Sequence, residues 1–202
     1  MKKYSSLFVL TCLMTFKSFG QGRIFDLFTL GKVQKESFEY QKKVLNKWKV
    51  SDDHLYNFHP LMMDSFESSI HYNGDLYFLA QNDVSPIHFR VFDGQSNYVS
   101  SWSYCNGNFN WYNILNCEGV NAFANQYINT NITLEKSLEL IENNDSLYQI
   151  SFEEYDYVII AFWASYYGSA VRKVLQYIQR FQNECDYKVL FIKVNYNGWD
   201  EV

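Results

Sequence analysis

The sequence predicts an α/β chain, α+β overall: a C-terminal strand–helix–strand unit preceded by an antiparallel β-rich region and an N-terminal helix. Three observations carry the central unit. Val158 to Phe162 is an unbroken apolar run rich in β-branched residues, which suits a short strand buried on both faces. From Val171 the period becomes helical. Val171, Val174, Leu175, Ile178 and Phe181 share one side, and Arg172, Lys173, Gln176, Gln179 and Arg180 share the other. After Cys185-Asp186, Val189 to Val194 is a second buried run, so the expected unit is βαβ, two parallel strands with a right-handed crossover.

The chain has 202 residues, of which 48% are hydrophobic and 19% aromatic, including 17 Tyr and 17 Phe. That composition supplies a sizeable core and argues against global disorder. The net charge is −5 and there is no basic block, which speaks against nucleic acid as a partner. Residues 1–20 read as a signal peptide: Lys2-Lys3, an apolar stretch from Leu7 to Phe16, then Ser18-Phe-Gly20 before a cleavage point at Gln21. The apolar stretch is shorter than the ~20 residues a membrane span needs. Removal would take the charge from −5 to −8, with Lys2, Lys3 and Lys17 gone. Cys12 raises a lipid-anchor reading, against which stand Thr11 and the apolar residues beyond Cys12. No other stretch is long enough to span a bilayer, so the expected compartment is periplasmic or extracellular.

Residues 21–130 are expected to form the helix and the β-rich region, with a boundary near 130. Gln21 to Gly31 reads as an edge strand or docking linker. Val33 to Trp48 is a helical stretch, with Val33, Tyr40, Val44 and Trp48 as its stripe, widened by Phe38 and Leu45. Its lysine-rich end suits the helix dipole and reads as a solvated face. Residues 51–66 read as a loop in which Ser51-Asp-Asp53 suits a turn. His54 and His59, near Asp52, Asp53 and Asp64, lack a known metal-ligand spacing, so no metal site is expected. Asn73-Gly74 marks a hairpin over 68–80, and Ile87 to Phe92 with Tyr98 to Cys105 marks a second. Alternation of Ile87, Phe89 and Val91 with His88, Arg90 and Phe92 predicts a sheet with one wet face.

Export favours disulfides. Cys105 and Cys117, separated by eleven residues that include Asn106-Gly107, are the first choice of pair. The loop-entropy model gives such a bridge about 3 kcal/mol. Cys185 would then be a buried or unpaired thiol. Trp102, Tyr104, Phe109, Trp111 and Tyr112 surround that region. They suit a core better than a sugar- or peptide-stacking surface. Residues 113–132 look irregular. Asn131 and Asn144 begin glycosylation sequons that matter only in a eukaryotic secretory pathway. Thr133 caps a short helix to Glu142, Asn143-Asn-Asp145 ends it, and Leu147 to Phe152 suits a brief strand.

Phe162-Trp163-Ala164, the spaced Gly168, the amphipathic helix and Phe191-Ile-Lys-Val-Asn195 together resemble the first half of a thioredoxin-like domain. The resemblance covers about forty-five of the 202 residues. It implies that 131–202 is a partial thioredoxin-like domain, C-terminal and apparently truncated. The family's second half, with a cis-proline loop, should follow Asn195, whereas the only prolines are Pro60 and Pro86. The family's two cysteine positions fall on Tyr167 and Ala170, and its buried carboxylate falls on Ala161. Its strand lysine is kept as Lys193. Disulfide exchange needs an attacking thiolate and a resolving thiol, and a phenol or a methyl group supplies neither.

Two functions follow as expectations. The first is a redox-inactive, non-enzymatic binding or structural role at the strand–helix junction. There Ser165, Tyr166, Tyr167, Gly168 and Ser169 and the backbone N–H groups of the helix start would hold an extended peptide or a small anion, with Trp163 beneath. The second is a thiol–disulfide oxidoreductase using relocated Cys105 and Cys117. No cofactor motif, phosphate loop, catalytic triad or paired-carboxylate arrangement points elsewhere, and no cofactor is expected.

Overall fold

The computed structural model describes residues 36–59, 87–103, 114–121 and 132–196. The expected signal peptide, the hairpin over 68–80, Pro60, Pro86 and Cys105 lie outside the described residues, as do Tyr104, Phe109, Trp111, Tyr112 and Asn131. Among the described residues, five strands form one mixed sheet: β1 (Leu55–Asn57), β2 (His88–Asp93), β3 (Tyr98–Ser103), β6 (Tyr157–Trp163) and β7 (Val189–Asn195). A separate two-stranded ladder pairs β4 (Leu115–Asn116) with β5 (Gly119–Val120). The α-helices among the described residues are α1 (Phe38–Lys47), α2 (Leu134–Glu139) and α3 (Ser169–Glu184).

The sheet order is β1-β7-β6-β2-β3. β6 and β7 are parallel neighbours joined through α3, and β1 extends the parallel set beyond β7. On the other side β2 runs antiparallel to β6, and β3 antiparallel to β2. The sheet thus takes β1, β2 and β3 from the 21–130 region and β6 and β7 from the 131–202 region. Asp93 sets the β2–β3 turn: its Oδ1 accepts from the backbone N–H groups of Gln95 and Asn97, at 2.9 and 2.8 Å.

Side chains alternate across each strand. Ile159, Ala161 and Trp163 of β6 join Leu45 of α1 and Val171, Val174, Leu175, Ile178 and Phe181 of α3 in one core. Val158, Ile160 and Phe162 join Leu134 and Leu138 of α2 in the other. Fully burying an aliphatic or Phe side chain contributes about 1.5–3 kcal/mol, so the two cores dominate the energetics. The expected wet face is therefore absent. His88, Arg90 and Phe92 are all buried, because α2 covers them. Arg90 Nη1 donates to Ser137 Oγ at 2.9 Å and its guanidinium lies 5.4 Å from the Phe162 ring centre, while His88 stacks on that ring at 4.3 Å.

Other expectations are corrected in detail. α1 starts after Ser37, whose Oγ accepts from Tyr40 N at 3.2 Å. Its buried residues are Gln41 and Leu45, while Phe38 and Tyr40 are exposed at 41% and 48%. The stripe is rotated because Gln41 is satisfied by hydrogen bonds inside the fold. The supposed loop after Asp53 contains β1, and Leu147 to Phe152 lies in 3-10 turns rather than a strand. Asn143, at φ 55°, ends the α2 region in the left-handed conformation that Asn tolerates.

The cysteine pairing is also corrected. Cys117 is bonded to Cys185, 68 residues away in sequence, with Cα atoms 4.9 Å apart. The ladder that carries Cys117 is anchored on α3: Tyr177 OH donates to Leu115 O and accepts from Leu115 N at 2.9 Å. That docking brings Cys117 to the end of α3, where Cys185 follows Glu184. Sequence proximity to Cys105 carried no such information.

Candidate functional site

The three parallel strands end level with one another. Asn57 of β1 pairs with Asn195 of β7, and Asn195 pairs with Trp163 of β6. Laterally paired residues point to the same face, here the face covered by α1 and α3. The edge is therefore a row of Asn57, Asn195 and Trp163, and the chain turns from Trp163 into the strand–helix junction.

Residues from α1 and its lead-in sit over this row. Gln41 is fully buried; its Nε2 donates to Asn57 Oδ1 and to Glu36 O, each at 3.0 Å. The Glu36 carboxylate reaches the junction. Ser165 Oγ donates to Glu36 Oε1, and Asn195 Nδ2 donates to Glu36 Oε2 at 3.1 Å. Hydrogen bonds to an ionised acceptor are roughly twice as strong as neutral ones.

The expected site residues are placed as follows. Trp163 is fully buried beneath the junction and packs edge-on against Trp48, with ring centres 5.8 Å apart. Ser165, Tyr166 and Tyr167 form a single 3-10 turn. Tyr167 is half-buried and packs against both cores. Gly168, at φ 54° and ψ −117°, turns the chain into α3, a conformation natural only to glycine. A Cβ there would meet nothing within 4 Å, so backbone freedom rather than space requires the glycine. Ser169 is exposed as the first residue of α3, and no side chain caps that helix. Ala170 follows it, so positions 167 and 170, to which the resemblance would assign cysteines, carry no sulfur.

Below the row on the same face lies Lys193, 1% exposed, with Ala161 as its lateral neighbour on β6. Its Nζ donates to Phe191 O at 3.1 Å and lies 4.1 Å from the Phe191 ring centre. Burial lowers its pKa to about 8, against the opposing pull of Asp53 and Asp52. His54, on the exposed loop before β1, is lowered by desolvation and by Lys193, against Asp53. Among the described residues no three or more His, Cys, Asp or Glu are grouped to hold a metal ion. Among them, too, no helix is long and apolar enough to cross a membrane.

The disulfide sits elsewhere. α3 has sixteen residues. At 1.5 Å rise each, Cys185 is about 24 Å along the axis from the junction.

Sequence reasoning found the junction but missed Glu36, Gln41, Asn57 and Asn195 as its polar lining. Asn195 was visible only as the end of Lys-Val-Asn. Nothing in the sequence local to Glu36 indicates its long-range contact with Ser165 and Asn195. Trp102, by contrast, is a core residue as composition suggested. Comparison of the chain with protein-family models, curated proteins and solved structures finds no match in any of the three.

Proposed function

We propose that this is an exported thioredoxin-like protein that exchanges no electrons and uses its strand–helix junction to bind a protein or peptide. One observation carries the redox half of this reading. Where the resemblance calls for attacking and resolving thiols, the junction presents Tyr167 and Ala170, and the disulfide of Cys117 and Cys185 is at the far end of α3. The parallel β6–α3–β7 unit supports the scaffold half. The binding half is supported by the uncapped helix start and the hydrogen-bonding groups of Ser165 and Asn195 at one edge. Export rests on the N-terminal twenty residues alone.

The bond between Cys117 and Cys185 speaks against the alternative, a relocated Cys105–Cys117 redox pair. Insulin reduction by dithiothreitol tests the point. The expected rate equals the uncatalysed one and is unchanged by Cys117→Ser. Turnover that Cys117→Ser abolishes would overturn the proposal. Binding is tested by titrating isotope-labelled protein with a degenerate library of extended peptides. Backbone amides from Ser165 to Ala170 should shift, and a response confined to other surfaces would reject the junction.

A further inference from the structure

We infer that the junction is a carboxylate-binding site which the chain fills with its own Glu36, so that a ligand's carboxylate enters by displacing it. The inference rests on the reading of the junction as a binding surface and adds the chemistry of what is bound.

The first observation is the pair of donors. Ser165 follows β6 and Asn195 ends β7, yet each gives a hydrogen bond to a different oxygen of one carboxylate. Two donors presented from two elements to two oxygens form a fork that matches the carboxylate shape. The second is the start of α3 beside them. The first-turn N–H groups of a sixteen-residue helix lack intrahelical acceptors, no side chain caps them, and the aligned peptide dipoles favour negative charge there.

The third observation is independent of Glu36. Asn195 Oδ1 and Trp163 Nε1 are buried in fully buried residues and have no hydrogen-bond partner among the described residues. Asn195 Oδ1 belongs to the same carboxamide whose Nδ2 holds the Glu36 carboxylate. Trp163 is the lateral neighbour of Asn195 on the same face. An unmade bond of this kind costs more than an ordinary one contributes. An acceptor on the carboxamide that holds the carboxylate, and a donor on the residue paired with it in the sheet, suit a peptide unit adjoining that carboxylate.

Glu36 itself is half-buried and lies just before the cap of α1, within reach of an incoming competitor. An internal carboxylate on a short tether acts at an effective concentration near millimolar, so it screens out weak ligands. Ligand sources divide into a peptide's terminal α-carboxylate and an Asp or Glu side chain, both presenting the same group.

The test uses the full chain and formate. In Glu36→Ala the melting temperature should rise with formate, by roughly 4 °C at ten times its dissociation constant and with the logarithm of concentration beyond it, and not with chloride at equal ionic strength. The rise should vanish in Glu36→Ala/Ser165→Ala. An equal response to chloride and formate overturns the inference. Should Glu36→Ala fail to fold, the Trp163 indole N–H resonance of the unaltered protein is the readout. It should shift with formate at a weaker affinity than in Glu36→Gln, and no shift in either protein overturns the inference. Peptides with a free or an amidated C-terminus, with and without an internal Glu, separate the two sources. If the library binds at the junction while formate does nothing, this inference falls and the binding reading stands. If neither acts there, both fall.

Discussion

Lys193→Met should stabilise the protein at neutral pH, and the gain should shrink as pH rises. Lys193 is 1% exposed, and burial lowers its pKa from 10.5 to about 8. Below pH 8 both folded and unfolded chains hold the proton, and the fold carries the full cost of a buried ammonium. Between about 8 and 10.5 the fold has released a proton that the unfolded chain keeps, so stability rises with pH through that window. The drop from 10.5 to about 8 corresponds to about 3 kcal/mol at pH 7, most of it recovered by pH 10. Met has similar length and no charge, so the variant escapes the cost, although it loses the bond to Phe191 O and the contact with the Phe191 ring. Urea denaturation of both proteins at pH 7 and pH 10 is the assay. The tyrosines that begin to ionise at the higher pH are common to both and cancel in the difference. A Lys193→Met protein that is less stable than its parent by the same amount at both pH values would refute the reasoning. It would mean that the ammonium is stabilised in place rather than merely enclosed.

The disulfide and the glycines give the remaining predictions. Peptide mapping without reduction should recover Cys117 linked to Cys185, and reduction or Cys185→Ser should lower stability by about 4 kcal/mol in the chain-entropy model, given the 68-residue separation. A Cys105–Cys117 cross-link would contradict the fold described. Gly168→Ala should cost on the order of 1–3 kcal/mol through its backbone conformation alone. Gly94→Ala should cost more, since an added Cβ would lie 2.2 Å from Tyr155 O and backbone must move. Urea midpoints order the two variants, and the reverse order would count against the local geometry.

What could be read from the chain was what short-range patterning determines. β6, α3 and β7 appeared within a residue or two of their ends, because apolar runs and the helical period of Val171 to Phe181 are local signals. The β2–β3 hairpin and the Thr133 cap were legible for the same reason. β1 was not. Three residues, Leu55 to Asn57, carry no periodicity, and they become a strand only because β7 offers an edge. The wet face expected for β2 failed because His88 and Arg90 look polar in sequence but find Phe162 and Ser137 under α2. The disulfide partner of Cys117 depended on where Tyr177 anchors the β4–β5 ladder, a contact spanning 62 positions. At the site, the junction could be located from Phe162-Trp163-Ala164 and Gly168. Its polar lining came from Glu36 and Asn57, whose roles exist only once the strands are aligned.

β1 links the two polar systems of this edge. On its entry side, Lys193 N donates to His54 O at 3.0 Å, and the charges that offset Lys193 burial come from Asp53 and Asp52 just before the strand. On its exit side, Phe58 N donates to Asn195 O at 2.9 Å and Gln41 holds Asn57. A three-residue edge strand has too few ladder bonds to set its own position, so these contacts set it. Asn195 is therefore flanked on both sides in the sheet, by Asn57 of β1 and by Trp163 of β6. Its carboxamide can present Nδ2 to a carboxylate only while that row stays level. Perturbing Lys193 and perturbing Glu36 act at opposite ends of β1, two residues apart along β7. If β1 holds its register, the stability effects of Lys193→Met and Glu36→Ala should add. If it slips, they should couple, and the coupling would locate the weakness of the site in this strand rather than in the junction itself.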